Sequence, residues 1–356
     1  MSKVGSICLI LILCLPALPR AQQAGAAAGA VAQAAPTPVP AEGRIKMDVV
    51  VPDHAGKPVS GLELSDFTLL DNGQPTKIIS FRATNGTVRQ GAPPAEVILL
   101  IDSVNMKVTY VDRAREEIEK FLREEGGHLA QPVSVFLFTN EGVKVLLQPS
   151  TDGNALAAQL EHASGNLRTI GESGAAWGAV ERFQTSVQAL TIVAKSETRR
   201  PYRKLLIWVG PGWPSLESVS IQATSKGQQQ FFDWIVELSN KLRDARTSVY
   251  SISLGEPDAS SYRYRDFLKG VKTADRTSPG NLGLRVVATQ SGGRVFGPDN
   301  DLAGQIESCV RDASAFYTLT FDPPRAEKPN EYHELKVEVG KPELIGWTIT
   351  GYYNQP

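Results

Sequence analysis

The segment Glu96-Val97-Ile98-Leu99-Leu100-Ile101-Asp102 decides the fold of this 356-residue chain. A continuous apolar run of this length, with a carboxylate at each end, is typical of a short strand that is buried on both faces. A second segment of the same kind, Lys204-Leu205-Leu206-Ile207-Trp208-Val209-Gly210, follows later in the chain. Such strands occur in parallel sheets that helices cover on both sides, so the two segments predict an α/β protein.

Amphipathic helical segments alternate with apolar strand-like segments around these two strands. The predicted helices cover residues 111–125, 152–162, 172–194, 228–245, 284–290 and 302–313, and the further strands cover 133–138, 143–147, 248–253 and 294–296. Residues 256–280 are polar and are predicted as an irregular insertion. We therefore expect residues 95–314 to form one α/β domain with a mostly parallel, Rossmann-like central sheet.

The segments on either side of this domain have the period of two that is typical of half-exposed strands. Apolar and polar residues alternate in 44–84, where Asp71-Asn72-Gly73 is a strong turn signal. Residues 315–356 contain three more alternating runs. We expect 44–84 to form a β module and 315–356 to pack with it as one small β domain.

The first residues have the layout of a secretory signal peptide, with a basic residue, a short apolar stretch and small residues up to Ala21. Residues 22–43 are rich in Ala, Pro and Gly, and we expect them to be a flexible tether. The expected location is therefore secreted, periplasmic or in the cell envelope, without a transmembrane span once residues 1–21 are cleaved. Only Cys309 would then remain, so no intramolecular disulfide is expected.

Composition and motifs exclude several classes of function. The 37 basic and 38 acidic residues nearly cancel, and nucleic-acid binding requires a positive excess that the chain lacks. The four histidines form no short-spaced ligand cluster, and Gly171-Glu172-Ser173-Gly174 does not match a nucleophile elbow. We therefore predict no catalytic residue. The alternatives left open are an enzyme that uses Asp102 with Glu172 and a purely structural envelope protein.

The order of these segments resembles a von Willebrand factor A-type (VWFA) domain, on the basis of the strand ending in Ile101-Asp102, the alternating α/β series and the strand at 204–210. The flanks are similar to a family of secreted VWFA-related proteins that is abundant in acidobacteria, through residues 49–51, 56–59, 61–62, 66–67, 71–75, 78–81, 317–321, 332–337 and 351–353. The resemblance implies a secreted, non-catalytic binding or adhesion module. Its loops at the carboxyl edge of the sheet would contact a protein or a surface polymer.

The wider VWFA family carries a metal-ion-dependent adhesion site at this edge, built from Asp-x-Ser-x-Ser, a Thr and a further Asp. Asp102 retains the first position and Thr169 matches the Thr, whereas the two Ser positions are apolar and the strand at 204–210 is followed by no carboxylate. Two interpretations remain open. Asp102, Asn105 and Thr169 hold Mg²⁺ or another divalent cation in a degenerate site, or the fold is metal-free and Asp102 caps the next turn. We expect the second, with no cofactor.

Two residues near this edge are candidates for contact with a partner. Trp213 lies in Gly210-Pro211-Gly212-Trp213-Pro214, a predicted loop directly after a buried strand. An aromatic side chain on such a loop can anchor a partner. We expect Trp213, together with Ser103 beside Asp102, to form the partner-binding face.

Overall fold

The computed structural model describes residues 43–85, 95–162, 175–214, 216, 224–256 and 259–356. The predicted signal peptide, the tether up to residue 42, Thr169 and Glu172 lie outside these ranges. Residues Ala41–Pro356 belong to one compact unit. Within the described ranges, no helix is long and apolar enough to cross a membrane.

The strands alternate with helices through the middle of the chain. The strands are β1 (Ile45–Val49), β2 (Phe67–Asp71), β3 (Gln74–Thr76), β4 (Ser80–Thr84), β5 (Ala95–Asp102), β6 (His128–Thr139), β7 (Gly142–Asp152), β8 (Arg203–Gly210), β9 (Thr247–Ser253), β10 (Val295–Phe296), β11 (Phe316–Phe321), β12 (Glu331–Val339) and β13 (Gly351–Asn354). The α-helices are α1 (Val108–Arg123), α2 (Gly153–His162), α3 (Ala175–Glu197), α4 (Ser225–Asp244), α5 (Leu284–Gln290) and α6 (Leu302–Val310).

A six-stranded sheet in the order β10-β9-β8-β5-β6-β7 forms the centre of the protein. Its neighbouring strands are parallel, except that β6 and β7 form an antiparallel hairpin at one edge. Helices α1, α2 and α6 pack on one face, and α3, α4 and α5 pack on the other. The predicted α/β class with a mostly parallel central sheet is therefore confirmed.

Strand β5 explains why the apolar run in the sequence is continuous. All eight of its residues are buried, because β6 and β8 flank it and helices cover both faces. Val97, Leu99 and Ile101 belong to the core under α1, whereas Ile98 and Leu100 belong to the core under α3. Successive side chains of a strand point to opposite faces, so both faces need apolar residues here.

The flanking segments form two small antiparallel sheets, which confirms the predicted association of the two ends of the domain. One sheet has the order β1-β11-β4 and the other has the order β13-β12-β2-β3, so each combines strands from before and after the central sheet. A third hydrophobic cluster fills the space between them. Its aromatic centre is Phe67, whose ring centroid lies 5.0 Å from that of Tyr317 and 5.5 Å from that of Phe81.

A buried ion pair joins the first flanking sheet to the amino end of β9. Arg246 precedes β9, and its Nε and Nη2 donate to the two carboxylate oxygens of Asp48 in β1 at 3.1 and 2.6 Å. The hydroxyl of Thr318 in β11 donates to the same carboxylate at 2.7 Å. Burial alone would raise the pKa of Asp48, but the charge and hydrogen bonds of Arg246 outweigh it, so the pKa lies below its usual value.

We expect Arg246→Ala to lower the free energy of unfolding by about 3 kcal/mol, because it leaves the Asp48 carboxylate buried without its counter-ion. Arg263→Ala is the control, since Arg263 and Asp266 form an exposed pair, 69% and 56% accessible. That control should cost less than about 0.5 kcal/mol in urea unfolding. Equal effects of the two substitutions would contradict a structural role for the buried pair.

Candidate functional site

The predicted site lies where β5 and β8 end side by side. Ile101 pairs with Val209 in the parallel ladder, so Asp102 and Gly210 are neighbours at the carboxyl edge of the sheet. A Cβ atom added to Gly210 would lie 2.9 Å from the Cβ of Asp102. Only glycine leaves room for the Asp102 side chain at this point, so a larger side chain at Gly210 would require a shift of the strands.

The Asp102 carboxylate is buried and accepts four hydrogen bonds. Its Oδ1 accepts from the backbone N–H groups of Val104 at 3.1 Å and Asn105 at 2.9 Å. Its Oδ2 accepts from the Asn105 amide and from the indole Nε1 of Trp208, both at 2.9 Å. Asp102 thus caps the turn that follows β5.

Burial raises the pKa of Asp102 to about 6, from 3.8 for an ordinary aspartate. The hydrogen bonds from Asn105, Trp208 and Val104 act in the opposite direction, because each N–H donor stabilises the charged form. The loss of hydration is therefore the larger effect. A carboxylate with no exposed surface also has no access to a substrate from solvent.

Ser103 and Asn105 are held by the structure around Asp102. The Ser103 hydroxyl donates to the backbone oxygen of Phe138 in β6 at 2.6 Å, and the residue is 1% exposed. The Asn105 amide also donates to the Ser186 hydroxyl of α3 at 3.0 Å. Ser103 is therefore part of the sheet edge and not of an accessible surface, whereas Asn105 connects the turn to α3.

The described residues beside Asp102 offer one buried oxygen without a hydrogen-bond partner, the Oδ1 of Asn105, and one such oxygen does not fit a divalent cation. A hard cation needs several oxygen ligands with free lone pairs. Here both oxygens of the carboxylate face N–H donors, and Val104 and Met106, at the two Ser positions of the family pattern, are buried apolar residues. Across the described part of the chain, no group of three His, Cys, Asp or Glu side chains is placed to hold a metal ion. Thr169, the third predicted ligand, lies outside the described residues.

Trp213 lies in a different place from the one that the sequence predicts. It is 5% exposed and packs in the core between β8 and α3, with ring-centroid distances of 5.5 Å to Trp208 and 6.4 Å to Phe183. The expected exposed anchor is thus a core residue, because the glycine and proline residues before it turn the chain back over the sheet edge. Its indole Nε1 is buried and has no acceptor among the described residues.

Trp208, which was not among the predicted site residues, is a direct neighbour of Asp102. Trp208 pairs with Leu100 in the ladder, and residues 100 and 102 of β5 point to the same face. Its indole therefore reaches the carboxylate across the strands. A signal was present, because a tryptophan inside a fully buried strand needs an acceptor for its N–H group, and the nearest acidic residue at the same edge is Asp102.

The insertion predicted after β9 is irregular, as expected, and it is anchored to the rest of the protein. It contains 3-10 turns at Ala259–Phe267, Ala274–Arg276 and Pro279–Leu282. The backbone oxygen of Val271 accepts from the Tyr353 hydroxyl at 2.9 Å, and the Thr277 hydroxyl donates to Gln228 of α4 at 3.2 Å. These contacts hold a polar segment beside the carboxyl edge.

Comparisons with known proteins give weak similarities. No protein-family model matches the chain, and no curated protein matches it. Among solved structures, the human COPII-coat protein Sec24c matches with a TM-score of 0.33 and 11% identity over 74% of this chain. The chain spans 44% of the length of Sec24c.

Two other solved structures are matched over most of their own length. The manganese-loaded Plasmodium vivax TRAP protein has a TM-score of 0.36 and 8% identity, over 78% of this chain and 98% of that one. The SpRpn10 VWA domain has a TM-score of 0.30 and 10% identity, over 60% and 93%. The name of the SpRpn10 structure, a VWA domain, is that of the domain type that the sequence resembles.

The hydrogen bond between Trp208 and Asp102 is tested by comparing Trp208→Phe with Trp213→Phe. Both changes shorten a buried indole to a phenyl ring, but only the first removes an N–H donor from a buried carboxylate. We expect Trp208→Phe to lower the free energy of unfolding by about 1.5–3 kcal/mol more than Trp213→Phe does, measured by urea denaturation. Similar losses would show that the bond contributes little.

The raised pKa of Asp102 gives the protein a defined pH dependence. Since the native carboxyl holds its proton up to pH about 6 and the unfolded one only up to about 4, folding takes up a proton in this window. The contribution of Asp102 to stability should therefore fall by up to about 3 kcal/mol as the pH rises from about 4 to about 6. In the Asp102→Asn variant, the free energy of unfolding measured in urea should not show this fall between pH about 4 and about 6.

The titration can also be observed directly in the folded protein. The ¹³C carboxyl resonance of Asp102 should shift with a midpoint near pH 6. A midpoint at or below pH 4 would contradict the effect of burial on the pKa of Asp102. This measurement uses the unmodified protein, so it does not depend on whether the Asp102→Asn variant folds.

Proposed function

We propose that this protein is a non-catalytic binding module that contacts a partner protein through the carboxyl edge of its central sheet. The observation that carries the proposal is the exposed, irregular segment that follows the carboxyl end of β9. The flanking sheet that contains β1 attaches near the amino end of β9, where Arg246 bonds to Asp48. The base of the insertion is fixed to the other flanking sheet through Val271 and Tyr353, while Tyr262, Arg263 and Arg265 remain exposed.

The state of Asp102 supports a role without catalysis. General acid–base or nucleophilic chemistry needs a carboxylate within reach of a substrate. Asp102 is 0% exposed and all its hydrogen-bonding positions face donors from its own chain. We therefore propose that it is a structural acceptor that holds the turn before α1. On the same basis, we propose that binding does not require a divalent cation.

The surface near this edge supports recognition by loops. Tyr262 is 57% exposed in the insertion, and Val108 is 50% exposed at the start of α1. Lys107 and Glu256 approach to 3.9 Å across the loops that follow β5 and β9. Loops held on a rigid sheet commonly carry binding function. The signal-peptide layout of residues 1–21 supports the further proposal that binding occurs outside the cytoplasm, in the envelope or the medium.

Site-specific photo-crosslinking tests the binding face. The residue p-benzoylphenylalanine is placed at position 262 in the insertion or, as a matched control, at position 345, where Ile345 is 68% exposed beside the flanking strand β12. Both proteins are produced in intact source cells and irradiated. We expect a discrete crosslinked protein from position 262, unchanged by EDTA, and none from position 345.

Two results would overturn this proposal. Crosslinks from position 345 alone would place the binding face on the flanking sheets. Loss of the position-262 crosslink in EDTA, with recovery on addition of Mg²⁺, would contradict cation-independent binding.

A further inference from the structure

A small cleft, with about 50 Å³ of space that water can occupy, opens between the loop after β8 and the insertion. Nearly half of the residues that line it are aromatic or proline, namely Phe183, Trp213, Pro214, Tyr264, Phe267 and Pro279. Clefts lined in this way accept proline or aliphatic side chains of extended peptides, which lie flat against the rings. Trp213 is therefore a largely buried residue whose ring lines the cleft, and not an exposed anchor.

Glycine residues shape two sides of this cleft. Gly212 has φ of +99°, a conformation that glycine adopts readily and that directs the chain toward Trp213. At Gly280, an added Cβ would lie 2.6 Å from the ring of Phe267, so that ring packs directly against the backbone. The Phe267 ring on this side of the cleft is consequently packed directly against main chain.

Basic side chains exceed acidic ones beside the cleft, although the whole chain has a net charge of −1. Residues 256–285 contain six basic side chains and four acidic ones. Arg265 and Lys269 are exposed, whereas two of the acids already face basic groups: Asp266 pairs with Arg263 at 3.2 Å, and Glu256 lies 3.9 Å from Lys107. Arg285 lines the cleft, with its guanidinium 5.1 Å from the ring centroid of Tyr262. An acidic ligand complements this surface.

The wall also contains a hydrogen-bond donor without an acceptor. The Trp213 indole N–H is buried and unpaired within the described part of the structure, and a buried unpaired donor costs about 1–3 kcal/mol. A peptide carbonyl that reached this N–H group would recover the loss. The aromatic wall, the basic side chains and the Trp213 N–H group therefore all favour an extended acidic peptide as the ligand.

We propose that this cleft binds an extended, acidic segment of the partner protein, with a proline or aliphatic side chain against the rings of Trp213, Tyr264 and Phe267. Acidic side chains on either side of that residue pair with Arg265, Lys269 and Arg285. The proposal rests on the proposed function, because it names the ligand class of the same edge of the sheet.

A displayed library of random twelve-residue peptides is selected against the purified protein. We expect the bound peptides to be enriched in Asp and Glu around a proline or aliphatic residue. The affinity of the best peptide, measured by fluorescence anisotropy, should fall about tenfold or more for the double variant Arg265→Glu/Lys269→Glu, and also for Tyr264→Ala. Binding should weaken as salt is raised.

The control is Lys77→Glu/Arg82→Glu, which makes the same change in net charge at exposed positions of the flanking segment. It should bind the peptide as the unmodified protein does, and all variants are first checked for an unchanged melting temperature. A library without acidic enrichment would overturn the proposal, as would equal losses in the two double variants. Full binding by Tyr264→Ala would overturn the assignment to the cleft.

The crosslinking experiment separates the two proposals. A crosslink from position 262 together with a library that shows no acidic enrichment would overturn the acidic-segment proposal and leave the binding face in place. A crosslink from position 345 alone would overturn both.

Discussion

The burial of one carboxylate constrains the whole carboxyl edge. Asp102 ends a strand that is covered on every side, and a buried charge is tolerated only where donors surround it. The donors come from the turn after β5 and from Trp208 in β8, and Asn105 extends the network to α3. The positions of the turn, the neighbouring strand and the helix are therefore mutually dependent, and the close contact at Gly210 leaves no room for another side chain.

The hydrogen bonds around Asp102 and the exposed insertion after β9 divide the carboxyl edge into a closed centre and an accessible rim. N–H donors occupy the positions around Asp102 that a cation or a substrate would need, so the centre of the edge is closed. If the protein binds a partner as proposed, the contact uses the rim, where side chains are exposed. The insertion after β9 provides such a rim, because Val271 and Leu282 bury its base while Arg265 and Lys269 remain in solvent. A rigid centre thus supports an adaptable polar surface.

The sequence was sufficient for the fold and insufficient for the site. Periodicity within short segments predicted the strands, helices and flanking sheets, because burial on one or two faces leaves a local pattern. The contact between Trp208 and Asp102 depends on the register of two strands far apart in the chain, which no local pattern contains. Trp213 shows the same limit, since Phe183 of α3 and the turn at Gly212 bury a residue that looks exposed in its own segment.

Trp208 and Trp213 show how one residue type serves two purposes a few positions apart. Their rings are in contact at 5.5 Å, and both are buried. The N–H group of Trp208 is used inside the protein, where it stabilises a charge and closes the edge to ions. The N–H group of Trp213 has no such partner among the described residues, and its ring borders the cleft. In the proposed function, the boundary between the structural and the binding part of this edge runs between these two neighbouring indoles. It follows that a ligand in the cleft would contact the Trp213 ring, which packs against Trp208, the residue that donates to Asp102.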